Sequence, residues 1–151
     1  MHNYGSQTVY ARLRRSESTL LWIAFFGVRL CIFFFWITPA KAEVALYLSY
    51  VQKIDAGLVP YRDFKFEYPP LTILYMLVPY FWGGDFIHYF KYFRLQSFLL
   101  DSVAFSLLCA FRPRMRPWSY LVCSSLLGPL LYDRLEGFLM FLMVLAIILR
   151  E

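Results

Sequence analysis

Carboxylates gather where the apolar stretches of this chain end. Glu43 follows the first, Asp63 and Glu67 flank an aromatic patch, and Asp133 and Glu136 lie between the last two. A carboxylate half-buried at such a boundary loses hydration, which raises its pKa and equips it to take a proton from a hydroxyl. The alternative is that these boundary acids are simply solvated, or paired with Arg62, Lys65 and Arg134. No other recognised catalytic spacing competes for the role. The chain has no phosphate-cradling glycine loop, dinucleotide fingerprint, zinc spacing or nucleophile elbow. Cys31, Cys109 and Cys123 fall inside apolar runs, without metal-ligand or disulfide spacing, and read as small packing residues.

The elements that must carry these acids follow from composition. Of 151 residues, 60% are hydrophobic, 21% aromatic and only 17% charged. A soluble domain of this length buries about 70% of its surface and needs more charge to cover the remainder. Lipid is therefore the expected second solvent. The net charge of +5 does not point to nucleic acid, because most basic residues stand beside apolar runs, as in cytoplasmic loops of membrane proteins.

We expect an all-α, multi-pass membrane protein of one domain, with spans over residues 20–38, 93–111, 117–132 and 137–149 and an outer loop over 39–92. The first run, Leu20 to Thr38, is preceded by Arg12, Arg14 and Arg15 and followed by Ala40-Lys41-Ala42, which imitates a signal-peptide cleavage site. It is longer than the ~7–15 apolar residues of a signal peptide and contains Arg29, so it reads as an uncleaved span. Pro70 to Trp82 is apolar but short, and charge decides its place. Were it a span, Arg112, Arg114 and Arg116 would lie outside. Laid along the outer surface, it leaves Arg12, Arg14, Arg15, the Arg112–Arg116 cluster and Arg150 all inside. The outer loop then balances Lys41, Lys53, Arg62, Lys65 and Lys91 against Glu43, Asp55, Asp63, Glu67 and Asp85. Only this four-span arrangement, with both termini cytoplasmic, obeys the positive-inside rule.

Within the loop, Val44, Tyr47, Leu48 and Val51 recur at helical spacing, predicting a helix from Glu43 to Ile54 that Gly57 ends and Pro60 follows. Tyr68-Pro69-Pro70 predicts extended backbone before the interfacial segment, whose Tyr75, Tyr80, Phe81 and Trp82 suit the headgroup belt. Arg29 and Asp101 fall near the middle of the first two spans. Each alone costs about 2.5–3.5 kcal/mol there on insertion scales, so we expect a structural Arg29–Asp101 bridge.

The loop also carries a likeness. Glu43-x3-Tyr47, Ile54-x2-Gly57-x2-Pro60-Tyr61-Arg62-Asp63-Phe64 and Glu67-Tyr68-Pro69-Pro70-Leu71 fall in order over 29 residues, and Tyr132-Asp133-Arg134 heads the fourth span. This resembles the GT-C fold glycosyltransferases, most closely their bacterial polyprenyl-phosphomannose-dependent branch. The resemblance implies sugar transfer from a polyprenyl-phosphate donor to an acceptor hydroxyl on the outer face of a bacterial plasma membrane. Glu43 would be the base and Asp63 a second candidate acid. Asp133 would shape the cavity, or hold a divalent metal as in those members that use one; no cofactor is firmly implied. Tyr61, Arg62, Lys65, Glu67 and Tyr68 would contact substrate, the two cations favouring phosphate. The family usually has Asp where Glu43 stands, and a displacement of about 1 Å in such a site can cost on the order of 100-fold in rate. The likeness covers only the N-terminal part of such enzymes, so a second half or a partner membrane chain is expected to complete the activity. A non-catalytic subunit of a larger membrane complex is the alternative.

Overall fold

A computed structural model describes residues 4–35, 41–111, 117–128 and 130–150, with side chains from residue 17 onward except 18. The fold is all-α, 80% helix, with no strand among the described residues. Seven helices follow in order: α1 (Tyr4–Phe35), α2 (Lys41–Asp55), α3 (Leu71–Tyr80), α4 (Phe86–Phe111), α5 (Pro117–Leu126), α6 (Leu130–Asp133) and α7 (Glu136–Leu149). The cytoplasmic cluster expected at Arg112, Arg114 and Arg116 lies outside the described residues, as does residues 36–38 of the first expected span.

Helix α4 is the hub, touching every other helix. It buries Phe93, Arg94, Ser97, Asp101, Ala104, Phe105 and Leu108, a stripe at spacings of three and four. At 26 residues and a mean hydropathy of 1.3, α4 is long and apolar enough to cross a membrane, and among the described residues it alone passes that test. The other apolar helices are Thr19–Phe35, Leu71–Tyr80 and Glu136–Leu149. The segment expected as one span over 117–132 is divided. Gly128, with φ +54°, separates α5 from α6. Ser124 and Ser125 also turn their hydroxyls onto the Tyr120 and Leu121 carbonyls, a local competition that weakens helix ladders.

The expected loop helix is present as α2 and buries Val44, Tyr47, Leu48, Tyr50 and Val51. Its C-terminus closes as a Schellman motif. Leu58 N–H donates to the Lys53 carbonyl, Gly57 N–H to that of Ile54, and Gly57 supplies the left-handed residue at φ +85°. The chain then turns back along α2. Phe64, Phe66 and Tyr68 face the helix in alternation, with ring centroids 5.8, 5.0 and 6.4 Å from Tyr50. Lys65 and Glu67 point outward between them and pair at 3.0 Å. Extended backbone stops short of Pro70, which is already helical at φ −54° and ψ −34°. Proline's fixed φ suits a first helical turn, where its missing N–H costs nothing.

Candidate functional site

Two parts of the chain 91 residues apart meet at the head of α2. Glu43 lies in the first turn of that helix, and Arg134 in the turn between α6 and α7 places Nε 2.5 Å from its Oε2. The same Nε is 3.4 Å from Oε1 of Glu136. One guanidinium thus bridges two carboxylates, with Glu43 34% and Arg134 38% exposed. Burial works against the charge on Arg134, but Glu136 and Glu43 outweigh it and hold the group ionised. The Tyr47 hydroxyl stands 3.5 Å from Glu43 on the next turn of α2. Burial pushes the Tyr47 phenol up, and the Tyr68 hydroxyl and Glu43 push it further. Tyr47 therefore stays neutral and serves as a donor towards the carboxylate. A carboxylate held this way, half open to solvent with one oxygen on a cation, can accept a proton from a hydroxyl that approaches its other oxygen.

The other acids named from the sequence lie elsewhere. Asp133 is buried at 1% exposure, and its Oδ1 is 2.9 Å from Nε of Arg94 on α4. Arg94 also lies over the Phe33 and Phe90 rings at 4.9 and 5.6 Å. Asp133 therefore faces a cation on the bundle side, one residue away from the arginine that reaches Glu43. A divalent metal does not fit at Asp133 beside that guanidinium. Among the described residues no three His, Cys, Asp or Glu side chains gather as a metal site.

Asp63 lies in the turn beyond the C-terminal end of α2, whereas Glu43 lies in the first turn of that helix, which runs about 18 Å from Glu43 to Asp55 at 1.5 Å per residue. It accepts two hydrogen bonds from Arg62, both at 2.9 Å, and one from the Val59 N–H at 2.8 Å. The Arg62 guanidinium, then the Val59 amide, hold its carboxyl below the usual range. Asp63 and Arg62 thus close a turn. Tyr61, at φ +67°, donates its hydroxyl to the Tyr68 carbonyl, tying that turn to the chain that runs back along α2. Lys65 and Glu67 pair with each other on the exposed side. Of the substrate-binding candidates, only Tyr68 reaches the Glu43 cluster, through its ring 5.5 Å from that of Tyr47.

Arg29 and Asp101 meet inside the bundle. Nε donates to Oδ2 at 2.7 Å, with side chains 0% and 1% exposed. Arg29 also donates to the hydroxyls of Ser124 and Ser125, and Asp101 accepts from Tyr120 at 2.7 Å and Tyr132 at 3.2 Å. The pair therefore sits in a network drawn from α1, α4, α5 and α6. Sequence reasoning missed Arg94 and the serine and tyrosine partners. The signal for Arg94 was its place two turns before Asp101, on the same buried face of α4.

Comparison of the chain with protein families, with curated proteins and with solved structures finds no match.

Proposed function

We propose that the chain is a four-span membrane protein with both termini cytoplasmic, and that it forms the acceptor side of a GT-C-like glycosyltransferase. The carrying observation is the Glu43–Arg134 contact, which unites the two stretches that resemble the family. In this reading α1, α4, the broken pair α5 and α6, and α7 cross the bilayer. Exposed apolar side chains on each, such as Phe34, Leu99, Leu126 and Met143, face lipid. The outward Leu71, Leu74, Val78, Phe81 and Trp82 of the α3 region lie in the headgroup layer. Glu43 takes the proton of the acceptor hydroxyl as its oxygen bonds to the sugar's anomeric carbon. The bond from that carbon to the donor phosphate breaks, and the polyprenyl phosphate leaves with the electron pair. Arg134 holds Glu43 in place and its charge favours the anionic leaving group. A second chain or segment supplies the remaining donor contacts.

The test is sugar transfer from polyprenyl-phosphate donors by the protein extracted with its membrane companions. Glu43→Gln should abolish transfer. Transfer that survives this change unaltered would rule Glu43 out as the base.

A second reading, a non-catalytic subunit, is favoured by one observation: Glu43 and Asp133 are each engaged by an arginine. Native mass measurement separates the two, because a subunit should be recovered in complex with another membrane chain and without transferase activity.

A further inference from the structure

We propose that the groove between α3 and α4 holds one acyl chain of an anionic phospholipid, with the lipid phosphate at Lys91. The groove encloses about 410 Å³ and is lined by Val78, Pro79, Trp82, Tyr92, Leu95 and Leu99, among others. Tyr92, Leu95 and Leu99 are three and four residues apart, so the groove runs along the α4 axis for about 10 Å, a direction that suits an extended hydrocarbon chain. Trp82 and Tyr92 stand at its head with ring centroids 6.1 Å apart, the residue types that sit at headgroup level. Gln96 also lines the wall; its amide nitrogen donates to the Tyr75 carbonyl, and its amide oxygen is buried without a hydrogen-bond partner among the described residues.

Lys91 supplies the charge. It precedes Leu95 by one turn on the same ridge of α4, is exposed, and makes no ion pair among the described residues. Helical side chains lean towards the N-terminus, which carries its ammonium towards the headgroups. The nearest acid in sequence, Asp85, is engaged by His88 at 2.6 Å. The occupant is distinct from the sugar donor, because the groove lies on the face of α4 opposite Arg94, Ser97 and Asp101, away from Glu43.

The proposal rests on the membrane reading, in that α4 crosses with its Phe86 end at headgroup level. The test uses the full chain with Trp82 as sole tryptophan (Trp22→Phe, Trp36→Phe, Trp118→Phe), reconstituted in phosphatidylcholine vesicles that contain a minor fraction of lipid with brominated chains. Bromine quenches a tryptophan in contact with it. Brominated phosphatidylglycerol should quench Trp82 about fivefold more effectively than brominated phosphatidylcholine, as one basic residue at an anionic surface provides. Lys91→Glu should bring the ratio to one or below, because the introduced carboxylate repels the anionic headgroup. Equal quenching by both lipids with Lys91 intact, or a preference that survives Lys91→Glu, overturns the site. So does relief of quenching on adding polyprenyl phosphate, which would make the isoprenoid the occupant. A chain that fails to float with vesicles overturns the membrane reading itself. Should the triple substitution misfold, native mass spectrometry of the unaltered chain should show phosphatidylglycerol retained in preference to phosphatidylcholine, and no preference would equally overturn the proposal.

Discussion

Gln96 donates its side-chain amide to the carbonyl of Tyr75 at 3.0 Å, across the contact between α4 and α3. That carbonyl lies four residues before Pro79, inside α3, and proline has no N–H to give it. The glutamine thus replaces the missing helical donor, and an apolar helix interrupted by proline keeps its course. Gln96→Leu should destabilise the fold by about 1–3 kcal/mol, because the carbonyl is left without a partner. In a Pro79→Ala background the backbone donor returns and the same change should cost clearly less. Thermal unfolding of the four variants in detergent measures the difference; equal costs in both backgrounds would remove this role from Gln96.

Arg29 and Asp101 should be strongly coupled. Removing one charge leaves the other buried, so Arg29→Met or Asp101→Leu alone should cost about 3–5 kcal/mol. The double variant leaves neither charge and should cost much less than the two losses added. Unfolding of the single and double variants reads the coupling, and additive losses would show that the pair does not act as a unit.

Asp133 and Glu43 should part company in their effects. Asp133→Asn removes the carboxylate that faces the buried Arg94, so it should lower the unfolding temperature and reduce activity in proportion to folded protein. Glu43→Gln sits in a half-exposed cluster and should change stability by no more than about 1 kcal/mol, while the proposed transfer is lost. Activity per folded molecule, measured for both variants, distinguishes a structural acid from a catalytic one.

The turn at Asp63 should be sensitive to acid. Arg62 and the Val59 amide depress the folded-state pKa, so the stabilisation is fully present above the unfolded carboxylate value of about 3.9. It is lost as pH falls through the lower folded value. Protection of the Val59 amide against hydrogen exchange, corrected for the intrinsic rate, should stay level from neutral pH to about 4 and fall below that. In Asp63→Asn the protection should be low and independent of pH over the same range.

Much of this architecture was legible from local pattern. The spacing of Val44, Tyr47, Leu48 and Val51 predicts α2 and its buried face, because helical periodicity is a property of neighbouring residues. Gly57 announces the helix end, since it tolerates the left-handed conformation that closes a Schellman motif. Arg29 and Asp101 are each costly among apolar residues, and Asp101 is the only acid within the four expected spans. Arg29 therefore had one candidate partner inside them, and their meeting could be anticipated.

Where the choice was open, only the tertiary structure decided it. Asp133, Arg134 and Glu136 occupy one short turn, and a shift of a single residue sends a side chain to the other face. Asp133 turns inward to Arg94, while Arg134 turns outward and gathers Glu43 with Glu136. The aromatic loop carries Asp63 to the far end of α2, so acids that stand close in the sequence motif come apart in space. Composition, period and boundary charge by themselves determined that this chain makes apolar helices with acids at their ends. Which acid faces a buried cation, and which remains half open beside Arg134, depends on contacts between residues far apart in the chain, and these exist only once α2, α4 and the turn before α7 have packed together.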